Sequence, residues 1–431
     1  MGNAWAQRGD VYGGWARLHG AATGWFHTQR MEGRWWLVDP QGQAFLSLGV
    51  NEVSLGPGPV AAGAYRKAAL EQYGSPANWA QQCVSRAREW GFTTIGVHSD
   101  YVVRSQHVPY VISLDVTSAL RLSEGQSFPD VFAPAFAAET QRLANRVCRP
   151  LAEDPWLIGY VTDTALAWSL GGRDSEGLLV QFLRLGDYAS GRAALLGFLT
   201  DRYLDVEALN EAWHTEYGAF AEIGRVPQAG AAIPKEDEEE FARLVADQYF
   251  RVTHDAIRGV DANHLLLGCR FLAPPPKPVL EAAREYVDVI PLSGSGGSPS
   301  AATLRSIYQT AKLPLLIGEY SAWPAEGGQT KRPAEGGTAG SQEEQARRYA
   351  RYLAETISLP MVIGCHWARY SDRPDDAGGG ATGLVSTADE PHRAFVEAVT
   401  RAHKEAYSRH AGSKLATPPT SAKSPRRGGA R

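Results

Sequence analysis

The 431-residue chain has few cysteines, no excess of either charge and no long apolar run. Its four cysteines are far apart and form no C-x-x-C pair, which argues against a zinc site and against a disulfide framework. No apolar stretch reaches the roughly 18 residues of a transmembrane helix. A formal net charge of -4 lacks the clustered Lys and Arg that nucleic acid or an anionic membrane would bind. We therefore expect buried thiols, no metal or cofactor, and neither a nucleic-acid nor a membrane partner.

The two ends of the sequence also lack structural signals. The N-terminus has no apolar segment of the signal-peptide type, which predicts a cytoplasmic protein, or a secreted one if a leader has been removed. The segment after Gly412 is rich in Pro, Ser and basic residues and is predicted to be disordered. Between the ends, 44% hydrophobic and 21% charged residues are typical of a globular protein with a large core.

Eight short apolar runs are predicted to be strands. They are not alternating but apolar throughout, which is typical of parallel strands that are buried on both faces. The runs are 44–50, 93–97, 110–116, 157–162, 264–269, 287–292, 315–317 and 361–366.

Helical patterns separate these runs. They cover 76–90, 133–152, 178–203, 235–259, 278–285, 303–311 and 341–358. Eight predicted strands that alternate with helices indicate an α/β fold, specifically a (β/α)8 TIM barrel with long loops after the strands. A hairpin within 33–45 precedes the first strand and is predicted to plug the barrel floor. The predicted organisation is a lead-in over 1–28, the barrel over 29–411 and a basic tail over 412–431.

Glycine-rich loops follow the last three strands, at 294–300, 326–340 and 375–383. None of them has the G-x-x-x-x-G-K spacing of a phosphate-binding loop. They are predicted to form walls of a substrate cleft, because chemistry in such barrels takes place at the carboxyl ends of the strands. Polar and aromatic residues end the predicted strands, namely Asn51, Glu52, His98, Asp100, Asp163, Thr164, Arg270, Ser293, Glu319, His366 and Trp367.

Several motifs, taken in order, resemble those of agarase-like (family 50 type) glycoside hydrolases of clan A. They are GRWWLVDP from Gly33, FLSLGVN ending at Asn51, WGFTTIG ending at Gly96, PYVISLD ending at Asp115, DPWLIGYVTD ending at Asp163 and LIGEY ending at Tyr320. The likeness extends from about residue 23 to residue 405. It implies a retaining hydrolase of the β-agarase or β-galactosidase type, which acts on β-linked oligosaccharides or polysaccharides.

The resemblance also assigns roles to residues. Glu319 matches the nucleophile of the family. Where relatives read Thr-Asp-Asn-Glu after the fourth strand, this chain reads Thr-Asp-Thr-Ala, so Ala165 stands at a vacant acid/base position and Thr164 replaces the Asn. The remaining predicted substrate-binding residues are Asn51, His98, Arg270, His366 and Trp367, the last as an aromatic platform for the sugar.

Three sources of activity stay open without the acid/base. Asp163 could act as a substitute acid, although it lies one layer deeper than position 165. Glu52, His98 or Glu176 could reach the cleft from a loop. A substrate with a good leaving group or a participating neighbour would need no acid, and Glu319 would then suffice.

A different class of function is also compatible with the sequence. The barrel could be a catalytically inactive carbohydrate-binding or scaffold protein, in which Glu319 remains because it pairs with a cation such as Arg270. Oligosaccharide affinity without turnover would indicate a binding protein, whereas a scaffold would show neither affinity nor turnover.

Overall fold

The computed structural model describes most of the chain. The described residues are 9–56, 61–120, 128–164, 166–170, 176–224, 226–294, 299–321, 342–372 and 383–412. Ala165, the predicted loop 326–340, most of the other two glycine-rich loops and the tail beyond Gly412 lie outside these ranges.

A four-stranded antiparallel sheet precedes the barrel. Its strands are β1 (Trp15–His19), β2 (His27–Met31), β3 (Arg34–Val38) and β4 (Gln43–Phe45), in the order β1-β4-β3-β2. The predicted hairpin is confirmed as β3 and β4. Strands β1 and β2 were not predicted, because WARLH and HTQRM carry polar side chains without a clear apolar face.

The turn between β3 and β4 is built around Asp39. One carboxylate oxygen, Oδ1, accepts hydrogen bonds from the backbone N–H groups of Gln41 (3.0 Å) and Gln43 (2.9 Å). Gly42 has a φ of 90°, a conformation that a side chain would strain. These features make a tight turn that directs the chain through β4 towards the barrel.

A second carboxyl group, that of Asp10, is hydrogen-bonded to Asp39. Oδ1 of Asp10 accepts from the N–H groups of Tyr12, Gly13 and Gly14 at 2.9–3.0 Å. The buried Oδ2 atoms of the two aspartates have no other hydrogen-bond donor in the described part of the chain. One proton held between the two carboxyl groups therefore satisfies both oxygens. Burial and this hydrogen bond raise the pKa of Asp39 to about 7.

Eight parallel strands follow and form the predicted barrel. They are β5 (Ser47–Val50), β6 (Thr94–Ile95), β7 (Tyr110–Ser113), β8 (Leu157–Val161), β9 (Leu265–Gly268), β10 (Ile290–Ser293), β11 (Leu315–Tyr320) and β12 (Val362–Trp367). The order β10-β11-β12-β5-β6-β7-β8-β9 places β9 and β10 at the two edges. A bridge between Phe271 and Leu292 joins these edges, so the barrel is nearly closed.

Twelve helices are present in the described ranges. They are α1 (Ala61–Tyr73), α2 (Pro76–Glu89), α3 (Tyr101–Arg104), α4 (Pro134–Leu143), α5 (Leu178–Leu183), α6 (Ser190–Tyr203), α7 (Val206–Trp213), α8 (Lys235–Arg258), α9 (Lys277–Ala283), α10 (Ala301–Ala311), α11 (Gln342–Ile357) and α12 (Arg393–Ala411). The seven predicted helices match α2, α4, α5 with α6, α8, α9, α10 and α11.

The predicted helix over 178–203 is interrupted, which corrects its prediction as one element. Helix α5 ends at Leu183 and α6 begins at Ser190. The guanidinium of Arg192 donates hydrogen bonds to the carbonyl oxygens of Leu183 and Ile223. Because a buried arginine satisfies the end of α5, the chain can leave the helix there without an unpaired carbonyl.

Two apolar clusters make up the core of the described ranges. The outer cluster lies between the strands and the helices. The inner cluster fills the barrel and combines strand residues with side chains of the N-terminal sheet, namely Phe26, Leu37, Phe45, Val97, Val111, Ile158, Leu267, Val289, Leu316 and Ile363. The N-terminal sheet therefore closes the floor of the barrel, as predicted.

The last helix returns to the N-terminal sheet. The His410 ring of α12 lies 2.8 Å from the carbonyl oxygen of Trp35, a residue 375 positions earlier. Arg34 donates a hydrogen bond to the carbonyl oxygen of Ser358 (2.8 Å), just after α11. These contacts fasten both ends of the barrel to one another. Across the described ranges no helix is long and apolar enough to cross a membrane.

Candidate active site

Polar side chains stand at the carboxyl ends of the barrel strands, a rim that we call the mouth. They are Asn51 and Glu52 after β5, His98 after β6, Asp115 after β7, Asp163 and Thr164 after β8, Arg270 after β9, Glu319 in β11 and Arg369 after β12. In a parallel barrel these ends share one face, opposite the floor. No group of three or more His, Cys, Asp or Glu side chains in the described ranges is placed to hold a metal ion.

The central contact of the mouth is an ion pair between Glu319 and Arg270. Nη1 of Arg270 lies 2.8 Å from Oε2 of Glu319. The arginine side chain is 7% exposed and the glutamate 22%, so the carboxylate is the more accessible partner. A carboxylate side chain is one of the groups that act as nucleophiles in covalent catalysis.

Arg270 also connects Glu319 to the end of β8. Its Nη2 donates to the carbonyl oxygen of Thr164 (3.3 Å), and its backbone N–H donates to the carbonyl oxygen of Asp163 (2.8 Å). The structure thus brings together four residues that the sequence predicted at the site, Asp163, Thr164, Arg270 and Glu319. Ala165, the vacant acid/base position, follows Thr164 directly in the chain but lies outside the described residues.

Asn51 supports the strand that carries Glu319. Its Nδ2 donates to the carbonyl oxygen of Gly318 (2.9 Å), and its backbone N–H donates to the carbonyl oxygen of Trp367 (2.9 Å). The side chain is buried, and a Cβ atom at Gly96 would come within 1.9 Å of its Oδ1. Asn51 therefore connects β5, β11 and β12 and positions the nucleophile candidate.

His98 and Asp115 form a second pair at the mouth. Nε2 of His98 lies 3.1 Å from Oδ2 of Asp115, whose Oδ1 accepts hydrogen bonds from Ser113 (2.6 Å) and Thr164 (3.2 Å). The hydrogen bond to Asp115 raises the pKa of His98. Burial of Asp115 opposes ionisation, but the hydrogen bonds from His98 and Ser113 lower its pKa overall. The sequence motif contained Asp115, yet we did not predict it as a site residue.

Three strand ends of the mouth have left-handed backbone conformations without glycine. The φ angles are 53° at Glu52, 58° at His98 and 47° at Asp115. Such conformations are unfavourable for residues with a side chain and concentrate at functional sites. The strain was not detectable in the sequence, because His, Asp and Glu are ordinary loop residues.

Asp163 is buried behind the mouth. Its Oδ1 accepts from the backbone N–H (2.9 Å) and the hydroxyl (2.7 Å) of Thr117, and its Oδ2 accepts from the Tyr249 hydroxyl (2.6 Å). Burial raises the pKa of Asp163 to about 6. Both oxygens are thus occupied in fastening the turn over 116–119 and α8 to β8, which is a structural position.

His366 lies inside the barrel and not at the cleft surface. It is 1% exposed, its Nε2 is 2.8 Å from the Ser47 hydroxyl, and a Cβ atom at Gly49 would lie 2.4 Å from its ring. Burial and the charge of Arg270 lower the pKa of His366 to about 3, so the ring is neutral. This position leaves no surface for a sugar, which corrects the predicted substrate-binding role.

Trp367 is a core residue between the barrel and the helices. Its side chain is 1% exposed and packs against Phe395 of α12 (4.8 Å between ring centroids) and Tyr349 of α11 (5.5 Å). Consecutive residues of a strand point to opposite faces, and His366 takes the inner one. The predicted sugar platform at Trp367 is therefore wrong for this structure.

Glu52 and Arg369 make a further contact across the mouth. Nε of Arg369 lies 3.4 Å from Oε2 of Glu52, and both side chains are largely buried. Arg369 lies two residues after the end of β12 and was not predicted as a site residue. The sequence feature that could have identified Arg369 is a cationic residue shortly after a predicted strand, as for Arg270.

The fold and the mouth define a glycoside hydrolase-like (β/α)8 barrel, with a strand-end glutamate paired to a buried arginine. An exo-β-agarase structure superposes with a TM-score of 0.80 at 22% identity, over 95% of this chain and 69% of that one. A β-galactosidase from the psychrophilic Marinomonas ef1 gives a TM-score of 0.56 at 14% identity, over 84% and 59%. These likenesses confirm the predicted barrel.

In sequence, the chain is similar to two β-agarases, which confirms the predicted resemblance to agarase-like proteins. β-Agarase B of Vibrio sp. (strain JT0107) is 25% identical over 92% of this chain and 50% of its own length. β-Agarase A of the same strain is 26% identical over 85% and 44%. The chain thus spans about half the length of the curated relatives it matches. No family model matches it.

Proposed function

We propose that this chain is a retaining hydrolase of β-linked oligosaccharides or polysaccharides, with Glu319 as its nucleophile. The observation that carries the proposal is the ion pair of Glu319 with buried Arg270 at the mouth (2.8 Å). The similarity to two β-agarases over most of the chain supports the substrate class. Among the charged pairs of the mouth, this one lies on the strand whose motif matches the family's nucleophile.

The chemistry follows the retaining route. The Glu319 carboxylate attacks the anomeric carbon and displaces the leaving-group oxygen, and water then cleaves the glycosyl ester and restores the carboxylate. Arg270 holds Oε2 and thereby fixes the orientation of the attacking carboxylate. Asn51 fixes the carbonyl of Gly318 and thereby the strand position from which Glu319 projects.

The sequence has alanine where the family's acid/base glutamate would be expected. General acid catalysis typically contributes about 10²–10⁴ in rate, so its loss slows glycosides with poor leaving groups most. A substrate with an activated leaving group needs little protonation. We therefore expect such substrates to be preferred unless another side chain supplies the proton.

A second candidate function is carbohydrate binding without turnover. It is favoured by the replacement of both functional residues in the stretch from Thr162 to Ala165. The Glu319 ion pair would then be a structural contact of the mouth. This protein would bind β-linked oligosaccharides and cleave none of them.

The test compares an aryl β-galactoside that has an activated leaving group with an unactivated β-linked oligosaccharide. The variants are wild type, Glu319→Ala and Glu285→Ala, the last a control because Glu285 is exposed and pairs with its neighbour Arg284. We expect aryl galactoside cleavage by wild type and the control, and its loss in Glu319→Ala with an unchanged circular dichroism spectrum. Activity that survives in Glu319→Ala would refute the nucleophile. Oligosaccharide affinity with no cleavage of either substrate would establish the second function.

A further inference from the structure

The His98 and Asp115 pair has the geometry of a proton donor with a fixed orientation. The two residues end neighbouring strands, β6 and β7, and both hold left-handed backbone conformations. Asp115 accepts from Nε2 of His98 at 3.1 Å, which leaves Nδ1 without a hydrogen-bond partner among the described residues. The His98 side chain is 39% exposed, so a substrate in the mouth can reach it.

The pair is connected to the nucleophile candidate by two hydrogen bonds of Thr164 and one ion pair. Asp115 accepts from the hydroxyl of Thr164 (3.2 Å), and the carbonyl oxygen of Thr164 accepts from Arg270 (3.3 Å). Arg270 in turn pairs with Glu319 (2.8 Å). Thr164 is also the residue before position 165 in the chain. His98 is therefore linked to both the nucleophile and the segment in which the acid/base is replaced.

We infer that His98, oriented by Asp115, is the catalytic proton donor and acceptor of this barrel and replaces the carboxylic acid absent at position 165. The inference rests on the proposed function, since it supplies the second group that a retaining hydrolase requires. Asp115 is assigned as a positioning residue, because it acts through its hydrogen bond with His98.

The steps balance with these groups alone. In the first, Glu319 forms a bond to the anomeric carbon while the bond from that carbon to the leaving oxygen breaks, and the Nδ1 proton of His98 passes to that oxygen. His98 is then neutral. In the second, neutral His98 takes a proton from water, the water oxygen bonds to the anomeric carbon, and the bond to Glu319 breaks. Both residues return to their starting states.

The charges around His98 set the pH range of this chemistry. Asp115 after β7 and Glu52 after β5 stabilise the imidazolium, while burial and Arg270 after β9 oppose it. The balance raises the pKa of His98 above its ordinary value. The ring therefore keeps its proton to a higher pH than a free histidine, and acid assistance should decline as the pH rises through that raised pKa.

The experiment uses aryl β-galactosides whose phenol leaving groups span a range of pKa values. Wild type is compared with His98→Gln and with His254→Gln, a matched control because His254 pairs with Asp255 (2.9 Å) on α8, away from the mouth. We expect His98→Gln to lose about 10²–10⁴ in kcat/KM on the poorest leaving groups and far less on the best. His254→Gln should match wild type on every substrate. Added azide should raise the rate at which His98→Gln cleaves the substrate with the best leaving group.

Two further variants separate a positioning role from a structural one. Asp115→Asn should shift the basic limb of the pH profile to lower pH, and the NMR titration of the His98 ring should shift with it. Ala165→Glu in the His98→Gln background should restore cleavage of poor leaving groups, because it returns a carboxylic acid to the family's position.

The outcomes distinguish this inference from the proposed function. If His98→Gln lost the same factor in kcat/KM on all leaving groups, or lost none, the role of His98 would be overturned. The proposed hydrolase function would still stand if activity depended on Glu319. Cleavage of only activated substrates by the wild type would also overturn the role of His98 and leave the proposed hydrolase function in place. Full activity of Glu319→Ala would instead remove the proposed function and, with it, this inference.

Discussion

The carboxyl pair of Asp10 and Asp39 at the barrel floor should make the stability of this protein fall as the pH rises. The pKa of Asp39 is raised from an ordinary 3.8 to about 7, so the folded protein holds a proton that the unfolded chain releases above about pH 4. The stabilising contribution is complete below the unfolded pKa and is lost as the pH rises through the folded one. The physical cause is burial, with the Asp10 hydrogen bond second.

The size of the effect follows from the same values. Each pKa unit of difference between the folded and unfolded states corresponds to about 1.4 kcal/mol. The raised pKa of Asp39 thus lowers the free energy of unfolding by up to about 4 kcal/mol between pH 4 and pH 8.

The assay compares wild type with Asp39→Asn by guanidinium denaturation at pH 5 and pH 8, followed by tryptophan fluorescence. The asparagine side-chain oxygen can still accept the hydrogen bonds from the N–H groups of Gln41 and Gln43. Its amide NH₂ can donate to Asp10 and does not titrate. We expect the variant to gain stability relative to wild type as the pH rises. Asp201→Asn, at an exposed position of α6, should show no such trend. An equal pH dependence for wild type and Asp39→Asn would refute the shared proton.

Two further predictions concern residues that the structure moved from the cleft to the interior. Trp367→Ala should lower the free energy of unfolding by about 3–5 kcal/mol, as large-to-small core substitutions do. Trp367→Phe should lower it much less. A change in KM with unaltered thermal stability would contradict the core position of Trp367. The lowered pKa of His366, about 3, predicts that stability present above pH 6.5 is lost as the pH falls towards 3. His366→Gln should therefore lose less stability than wild type between pH 7 and pH 4, and parallel losses would show that the ring is not buried in its neutral form.

The strands of the barrel were predictable because they carry continuous apolar runs. All eight were found near their predicted positions, since burial on both faces leaves little freedom in residue choice. The floor was only partly predictable, because β1 and β2 obtain their pairing from β4 and β3 and not from an apolar pattern of their own. The break after α5 depends on Arg192, a contact that no local pattern contains.

At the site, strand ends were predictable but side-chain directions were not. The contact between Glu319 and Arg270 was anticipated, because both follow apolar runs on the same face. His366 and Trp367 were assigned to the cleft, but strand alternation placed one inside the barrel and the other outside it. Asp115 was overlooked because its partner His98 lies 17 positions earlier, and only the adjacency of β6 and β7 brings them together.

The contact between α12 and the N-terminal sheet has a consequence for synthesis on the ribosome. Trp35 and His410 are 375 residues apart, and β5 pairs with β12, which is made more than 300 residues after it. At about 5–20 residues per second, Trp35 waits roughly 20–75 s for His410 to be made. During this time the free edge of β5 can pair with other nascent chains. A chaperone that binds the emerging segment should therefore raise the yield of soluble protein.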